Sequence, residues 1–203
     1  MTPRDDAQAV GQTPIDPDEA KGLLLRVNTQ EALNRAEEEN ILRARIWATR
    51  SRLVRSNLLL DSTLRRIHKE MFGGVWKWAG VYRLTNKNIG GPWAQIPVLV
   101  RQVCENFALR ASLVGEDRDQ LCVEFHHQIV NIHPFVNGNG RHARFCADRL
   151  AENLGGRPFP WGRHDLRGEG AARQSYLAAL KAADAGDVDP LVRFARLGGE
   201  QEK

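Results

Sequence analysis

The sequence predicts a mostly α-helical protein, a helical bundle interrupted by one short β-hairpin. Two observations carry this. From about residue 28 onward almost every segment has helical patterning, several with recognisable start and stop signals. A single run, VYRLTNKNIGGPWAQIPV, instead sets β-branched and aromatic residues around a turn-rich centre.

Residues 1–27 carry Pro3, Pro14, Pro17 and several Asp with little periodicity, so they read as an extended N-terminal arm ahead of a domain over 28–203. A long helix is expected from Asn28 or Thr29 to Ser51, where Asn28 and Glu31 have the form of a capping box. The next runs from Asp61 to Phe72, capped by Asp61 or Ser62 and stopped by Gly73-Gly74. The hairpin follows between Val81 and Val98. Further helices are expected at about 98–113, 117–132, 139–153, 168–185 and 188–197, the last opened by Asp189-Pro190.

A chain of 203 residues is long enough to bury its own core without staples. Cys104, Cys122 and Cys146 are an odd, scattered set without metal spacing, and read as small buried hydrophobes. No apolar run approaches the roughly 20 residues that cross a bilayer, and the polar start MTPRDDAQAV lacks the order of a signal peptide. A soluble cytoplasmic protein without membrane partners is expected. The net charge of +4 is small and its arginines and lysines are mixed with acids, so no direct contact with nucleic acid is expected. The local excess is more telling: seven arginines against four acids lie between Arg141 and Arg173.

That excess begins at IHPFVNGNGRHAR, residues 132–144. Pro134 lacks an N–H and disfavours a helical residue before it, which puts His133 on the rim of a helix end. Gly138-Asn139-Gly140 then opens the next helix, where unpaired N–H groups and the positive end of the dipole attract an anion and glycines allow close approach. Arg141 and Arg144 are three apart, so both guanidinium groups share nearly one face and can reach successive phosphates. An imidazole beside such a phosphate tail is placed to take a proton from an attacking hydroxyl. Singly, a histidine, a turn and two arginines are ordinary structural features, and their conjunction carries the assignment.

HPFVNGNGRHAR resembles the signature of the Fic (Fic/Doc) family, His-Pro-Phe-x-Asp/Glu-Gly-Asn-Gly-Arg-x-x-Arg, at every position except Asn137. The resemblance extends to WAGVYRLTNKNIGG and covers residues 60–155 well. The length and the LNRAEEENI segment also resemble the stand-alone bacterial subfamily called mobile mystery protein B. The resemblance implies a Fic-like helical bundle and a protein adenylyltransferase, which moves AMP from ATP to a Tyr, Thr or Ser hydroxyl of a target protein. It further implies that His133 is the catalytic base, that Gly138, Asn139 and Gly140 cradle phosphates, and that Arg141 and Arg144 hold the β- and γ-phosphates. Phe135 would anchor the loop in the core. The hairpin 81–98 would be a flap whose Asn88, Ile89 and Gly90 pair with target backbone as an added strand.

In the family the residue at position 137 is a carboxylate that holds Mg²⁺, or Mn²⁺, against the phosphates. Asn137 offers a neutral amide oxygen, whereas hard dications favour charged oxygens. One unit-charge pair at about 4 Å and an effective dielectric of about 20 is worth roughly 4 kcal/mol before desolvation. Weakened metal binding is therefore expected at Asn137. Three outcomes follow: a slower transferase, a changed nucleotide or phosphate preference, or a catalytically weak nucleotide-binding regulatory module.

Many members carry an inhibitory helix with the pattern Ser/Thr-x-x-x-Glu-Gly/Asn, whose glutamate meets the last arginine of the motif. Arg35-Ala36-Glu37-Glu38-Glu39-Asn40 matches its end, which makes the helix 28–51 a candidate brake acting through Glu39 and Arg144. The polar Asn40 on the stripe of Leu33, Ala36, Ala44 and Trp47 supports burial of that face, while a solvated EEE run is the competing reading. The subfamily resemblance also implies a helix-turn-helix, antitoxin-like partner in a toxin–antitoxin-like pair. His126, His127 and His142 read as structural.

Overall fold

The computed structural model describes residues 15–163, 166 and 170–197. Its helices are α1 (Pro17–Ala20), α2 (Gln30–Arg50), α3 (Arg52–Asn57), α4 (Asp61–Phe72), α5 (Ile96–Ala111), α6 (Arg118–Ile132), α7 (Asn139–Asn153), α8 (Ala171–Asp184) and α9 (Asp189–Arg196). Single 3₁₀ turns lie at Trp93–Gln95 and Trp161–Arg163.

α6 and α7 form the centre. α6 buries Leu121, Cys122, Val123, Phe125 and Ile129, and α7 buries Ala143, Cys146, Ala147 and Ala151 at helical spacing. Small side chains on that stripe let the two helix backbones approach, while Phe125 and Phe145 fill the remaining volume. α5 packs on the outside of α6, the α8–α9 pair covers the α6 end, and α4 lies between α7 and α2. All three cysteines are free and buried, as their scatter suggests, and burial pushes the Cys104 and Cys122 thiols up to about 12.

Most expected helices are present within a residue or two of their ends. Thr29, and not Asn28, caps α2 by accepting from the Ala32 N–H at 3.1 Å. Asp117 caps α6 through the N–H groups of Asp119 and Gln120. Asp61 opens α4 without capping it, because its carboxylate takes the Tyr82 hydroxyl. The short α3 lacks enough turns to stand out as a period. The expected helix start at 168 lies outside the described residues.

The hairpin expected at 81–98 does not form. Among the described residues the segment makes no strand, only an isolated bridge between Tyr82 and Phe135, with the Arg83 N–H donating to the Pro134 carbonyl at 3.0 Å. The reason is Arg83. Its side chain is among the largest that are fully buried, and it donates to the carbonyls of His133 (2.7 Å), Thr85 (2.7 Å) and Gly91 (2.6 Å). A guanidinium thus satisfies acceptors that a second strand would have satisfied. Pro92 has no N–H to offer, and α5 already begins at Ile96 with Pro97 in its first turn.

The arm also differs from its expectation where it is described; residues 1–14 lie outside the described residues. Residues 15–24 contain α1 and then dock along 75–88. Leu23 bridges Trp76, the Leu24 N–H donates to the Val75 carbonyl at 2.8 Å, and the Lys77 N–H donates to the Gly22 carbonyl at 2.8 Å. Lys87, with its side chain 4% exposed, pairs with Asp16 at 2.8 Å and Glu19 at 2.5 Å. An ion pair this sheltered is screened less than one on an open surface.

Candidate active site

The motif occupies the turn from α6 to α7. His133 ends α6 in the left-handed region (φ 52°, ψ 59°), as the following proline requires it to leave the helix. The Arg83 bond to its carbonyl holds this turn. Such a backbone costs of order 1–3 kcal/mol and persists where surroundings over-determine it. Phe135 is fully buried and stacks on His68 with ring centroids 3.7 Å apart.

Asn139 turns its side chain inward. Its Oδ1 accepts from the Phe135 N–H and its Nδ2 donates to the Phe135 carbonyl, both at 2.9 Å. What it can offer an anion is its backbone N–H, at the first turn of α7, where such groups have no helical acceptor. Gly138 adopts φ 79°, and a Cβ there would meet the Phe72 ring at 2.6 Å, so only glycine fits.

Both arginines face this helix start. Arg141 lies over Phe72, its guanidinium carbon 4.8 Å from the ring centroid, and donates to Glu37 Oε2 at 2.6 Å. Arg144 stands 5.4 Å over the Tyr176 ring, and its Nη1 comes within 3.5 Å of where a Gly140 Cβ would lie. The structure therefore brings His133, Gly138, Asn139, Gly140, Arg141 and Arg144 to one place. Of the flap residues, Gly90 (φ 92°) touches this site: a Cβ on it would sit 2.7 Å from His133 Cβ. Asn88 is exposed and Ile89 half-buried on the same loop.

The expected Glu39–Arg144 pair is not formed. Glu39 is exposed, and Glu37, 7% exposed, is the carboxylate that α2 delivers to the motif. Its Oε1 accepts from Trp76 Nε1 at 2.7 Å and its Oε2 from Arg141. Glu37 lies three residues before the buried Asn40, whereas Glu39 is two positions from Glu37 and about 200° away around the helix. The i, i+3 relation to Asn40 is the local signal that points to Glu37.

His68 belongs to no motif in the sequence. It is fully buried on α4, accepts at Nδ1 from the Gly80 N–H at 2.9 Å, and so presents Nε2–H to the Asn137 carbonyl at 3.0 Å. It therefore ties the anion loop to the start of the flap segment. A lone histidine on an apolar helix face gives no local sign of this.

Burial, with the Arg83 charge next, pushes the His133 imidazole down to about 4, against a hydrogen bond to the Val130 carbonyl that raises it. At neutral pH the ring is uncharged and can accept a proton. Phosphates bound alongside would raise its basicity, because negative charge favours the protonated form.

The divalent cation implied for position 137 fits poorly. Asn137 Oδ1 accepts from the Gly138 N–H at 2.6 Å. Among the described residues no group of three or more His, Cys, Asp or Glu is placed to hold a metal. Glu37, which does reach the motif, is engaged by Arg141 and Trp76. A neutral amide already used by the backbone is a weak donor for Mg²⁺ or Mn²⁺. No helix among the described residues is long and apolar enough to cross a membrane.

Comparison with known proteins agrees with this geometry. Residues 59–151 match the Fic/DOC family model. A stretch of 69 residues is 38% identical to the protein adenylyltransferase Fic of Drosophila virilis, covering 34% of this chain and 13% of that protein. The Drosophila grimshawi protein of the same name is 36% identical over 69 residues, with the same shares covered. The chain thus spans a small part of the length of these relatives. In fold, it resembles the N-terminal FIC domain of Bep8 from Bartonella sp. 1-1C, with a TM-score of 0.68 over 90% of this chain and 93% of that one, at 16% identity. The Bartonella quintana Fic domain with bound ADP gives a TM-score of 0.64 over 88% of this chain and 94% of that one, at 17% identity. Fic-1 from C. elegans gives 0.61 over 87% and 51%, at 22% identity. Residues 59–151 thus match the Fic/DOC family model, and the chain carries them on a helical fold similar to that of solved Fic domains.

Proposed function

We propose that this domain transfers AMP from ATP to a hydroxyl side chain of a target protein. The observation that carries the reading is the meeting, at one helix start, of a neutral left-handed His133, the Gly138–Gly140 backbone, and the guanidinium groups of Arg141 and Arg144. The adenylyltransferase names of the Drosophila relatives and the ADP bound by the Bartonella quintana domain support it. The hydroxyl oxygen forms a bond to the α-phosphorus, the bond from that phosphorus to the bridging oxygen breaks, and pyrophosphate leaves. His133 takes the hydroxyl proton. The N–H groups at the start of α7 and the two arginines stabilise the charge on the phosphates, and fixed donors of this kind commonly contribute more to rate than any other feature of a site. The loop at Asn88, Ile89 and Gly90, next to His133, receives the target backbone. No step runs through a metal held by Asn137.

The test is incubation of the purified chain with α-labelled and γ-labelled ATP, wild type beside His133→Ala. Label on protein from α-labelled ATP that disappears in His133→Ala is the expected result. Label from γ-labelled ATP alone would make it a phosphate transferase. Nucleotide binding without any transfer to protein, including a candidate target, would favour a regulatory nucleotide-binding module, the reading that Asn137 supports. In that case the helix-turn-helix partner implied by the subfamily resemblance becomes the natural route of action.

A second observation favours restraint by α2. Glu37 occupies Arg141 in this structure, and a carboxylate there competes with a phosphate for the same guanidinium. On this reading the helix acts as a brake through Glu37 and Arg141. Exchange of Glu37 should raise transfer, and an unchanged rate would remove the brake.

A further inference from the structure

Tyr176 stands on α8, beyond the segment that matches the family and apart from the motif in sequence. Its ring is 5% exposed, and its hydroxyl lies 2.9 Å from Nε2 of His126 on α6, itself fully buried. Arg144 stands over this ring, and its charge opposes the burial that pushes the Tyr176 hydroxyl up. On its far side, the same guanidinium reaches to Gly140 in the first turn of α7. One side chain thus spans from α8 to the anion loop.

Hydrogen-bond bookkeeping fixes the direction of the Tyr176–His126 bond. A guanidinium only donates, so Arg144 cannot take the phenolic hydrogen. If His126 Nε2 donated to the phenolic oxygen, two groups would be left without partners: the phenolic hydrogen and the lone pair of His126 Nδ1, which has no partner in its buried position. If the phenol instead donates to Nε2, only the Nδ1–H is left over. The second arrangement strands one buried group where the first strands two, and a buried polar group without a partner is destabilising. The phenol therefore donates to His126, a neutral imidazole, which fixes the ring that lies beneath Arg144. Burial and the Arg144 charge both hold His126 in that neutral form.

We propose that Tyr176 and His126 are positioning residues that orient Arg144 towards the phosphate chain of a bound nucleotide. The inference rests on the nucleotide reading of the site above. It makes the α8 region part of the binding machinery although it carries none of the motif. An arginine held on two sides loses less freedom when it meets its ligand than one that swings in solvent.

Tyr176→Phe removes one oxygen and keeps the ring under the guanidinium. Binding of ATP and of AMP to the purified full chain would be measured by calorimetry for wild type, Tyr176→Phe, Arg144→Ala and the double variant. The expected result for Tyr176→Phe is about tenfold weaker ATP binding with AMP binding unchanged, the upper scale of the one hydrogen bond to His126 that fixes the ring beneath Arg144. In the Arg144→Ala background the same exchange should change nothing further, because the oxygen acts only through that arginine. If wild type binds ATP and Tyr176→Phe binds it equally well, the inference fails while the nucleotide reading stands. Equal losses for ATP and AMP, or additive effects in the double variant, would reduce Tyr176 to a core residue. No ATP binding by wild type would remove both.

Discussion

The anion loop at 133–144 and the segment at 79–92 lie against each other but are held by opposite means. The loop is built from its own sequence: Pro134 ends a helix, Gly138 takes a left-handed turn, and Asn139 closes a reciprocal pair with Phe135 four residues away. The neighbouring segment has almost no internal structure. Arg83 fastens it to Ile132 and His133, His68 fastens its start, and Lys87 fastens it to the arm at Asp16 and Glu19. The proposed chemistry sits in the locally encoded part. Its surroundings are set by partners from 12 to 71 residues distant.

The locally encoded loop faces its severest test at His133. His133→Ala should lower transfer by about 10²–10⁴-fold, the range for loss of a general base, while nucleotide binding persists. Label transfer that survives the exchange would take the base elsewhere.

Arg83→Met should damage the distant-partner region most. It leaves the carbonyls of His133, Thr85 and Gly91 without their donor, at a cost of about 3 kcal/mol or more. Urea unfolding measures it. Lys87→Met, at the edge of the same segment, should cost less, and the reverse order would mean that the arm and not Arg83 holds the segment.

Acid should loosen the region next. Burial holds His133 and His142 down to about 4, and His68 and His126 well below 6.5. In the unfolded chain histidines titrate near 6.5, so the unfolded state binds more protons below that pH and stability falls on acidification, by up to about 1.4 kcal/mol per pH unit for each histidine. Asp148 works the other way. Burial raises it to about 6, and its contribution is lost as pH rises from roughly 4 to 6. One opposing group against four leaves a net loss, so the urea midpoint should drop between pH 7 and pH 5; a flat or rising midpoint contradicts the burial of these rings.

Smaller effects are expected inside the motif, where local and distant partners meet. Asn137→Asp should tighten Mg²⁺ dependence by about tenfold, from one added charge in a partly screened site. A metal titration of transfer or of nucleotide binding reads it, with no change counting against position 137 as the metal-facing residue. Glu37→Gln should raise transfer several-fold if a carboxylate competes for Arg141, on the scale of about 1 kcal/mol for a partly exposed pair. Glu39→Gln should do nothing, since that side chain is exposed. A response at Glu39 and none at Glu37 would restore the pairing expected from the motif.

Much of this is legible in the residues. Helix starts and stops such as Asp117, Gly73 and Pro134 act within a turn of themselves, so α4, α6 and α7 can be placed to within a residue or so. The hairpin cannot be judged in this way, because β-branched residues report only a local tolerance for extended backbone. Whether Val81 and Tyr82 pair within their own segment or with Phe135 depends on a buried arginine. The family pattern selects Glu39 over Glu37 because it ignores the helical angle that Asn40 supplies.

The helical class, the turn between α6 and α7 and the placing of His133, Arg141 and Arg144 around it follow from the order of residues alone, since caps, glycines and short-range spacing act through the backbone of the same few positions. Packing in three dimensions selects which carboxylate reaches which arginine, lets Arg83 replace a strand, and sets Tyr176 under Arg144. Those outcomes depend on which buried donors find which acceptors once distant helices come together.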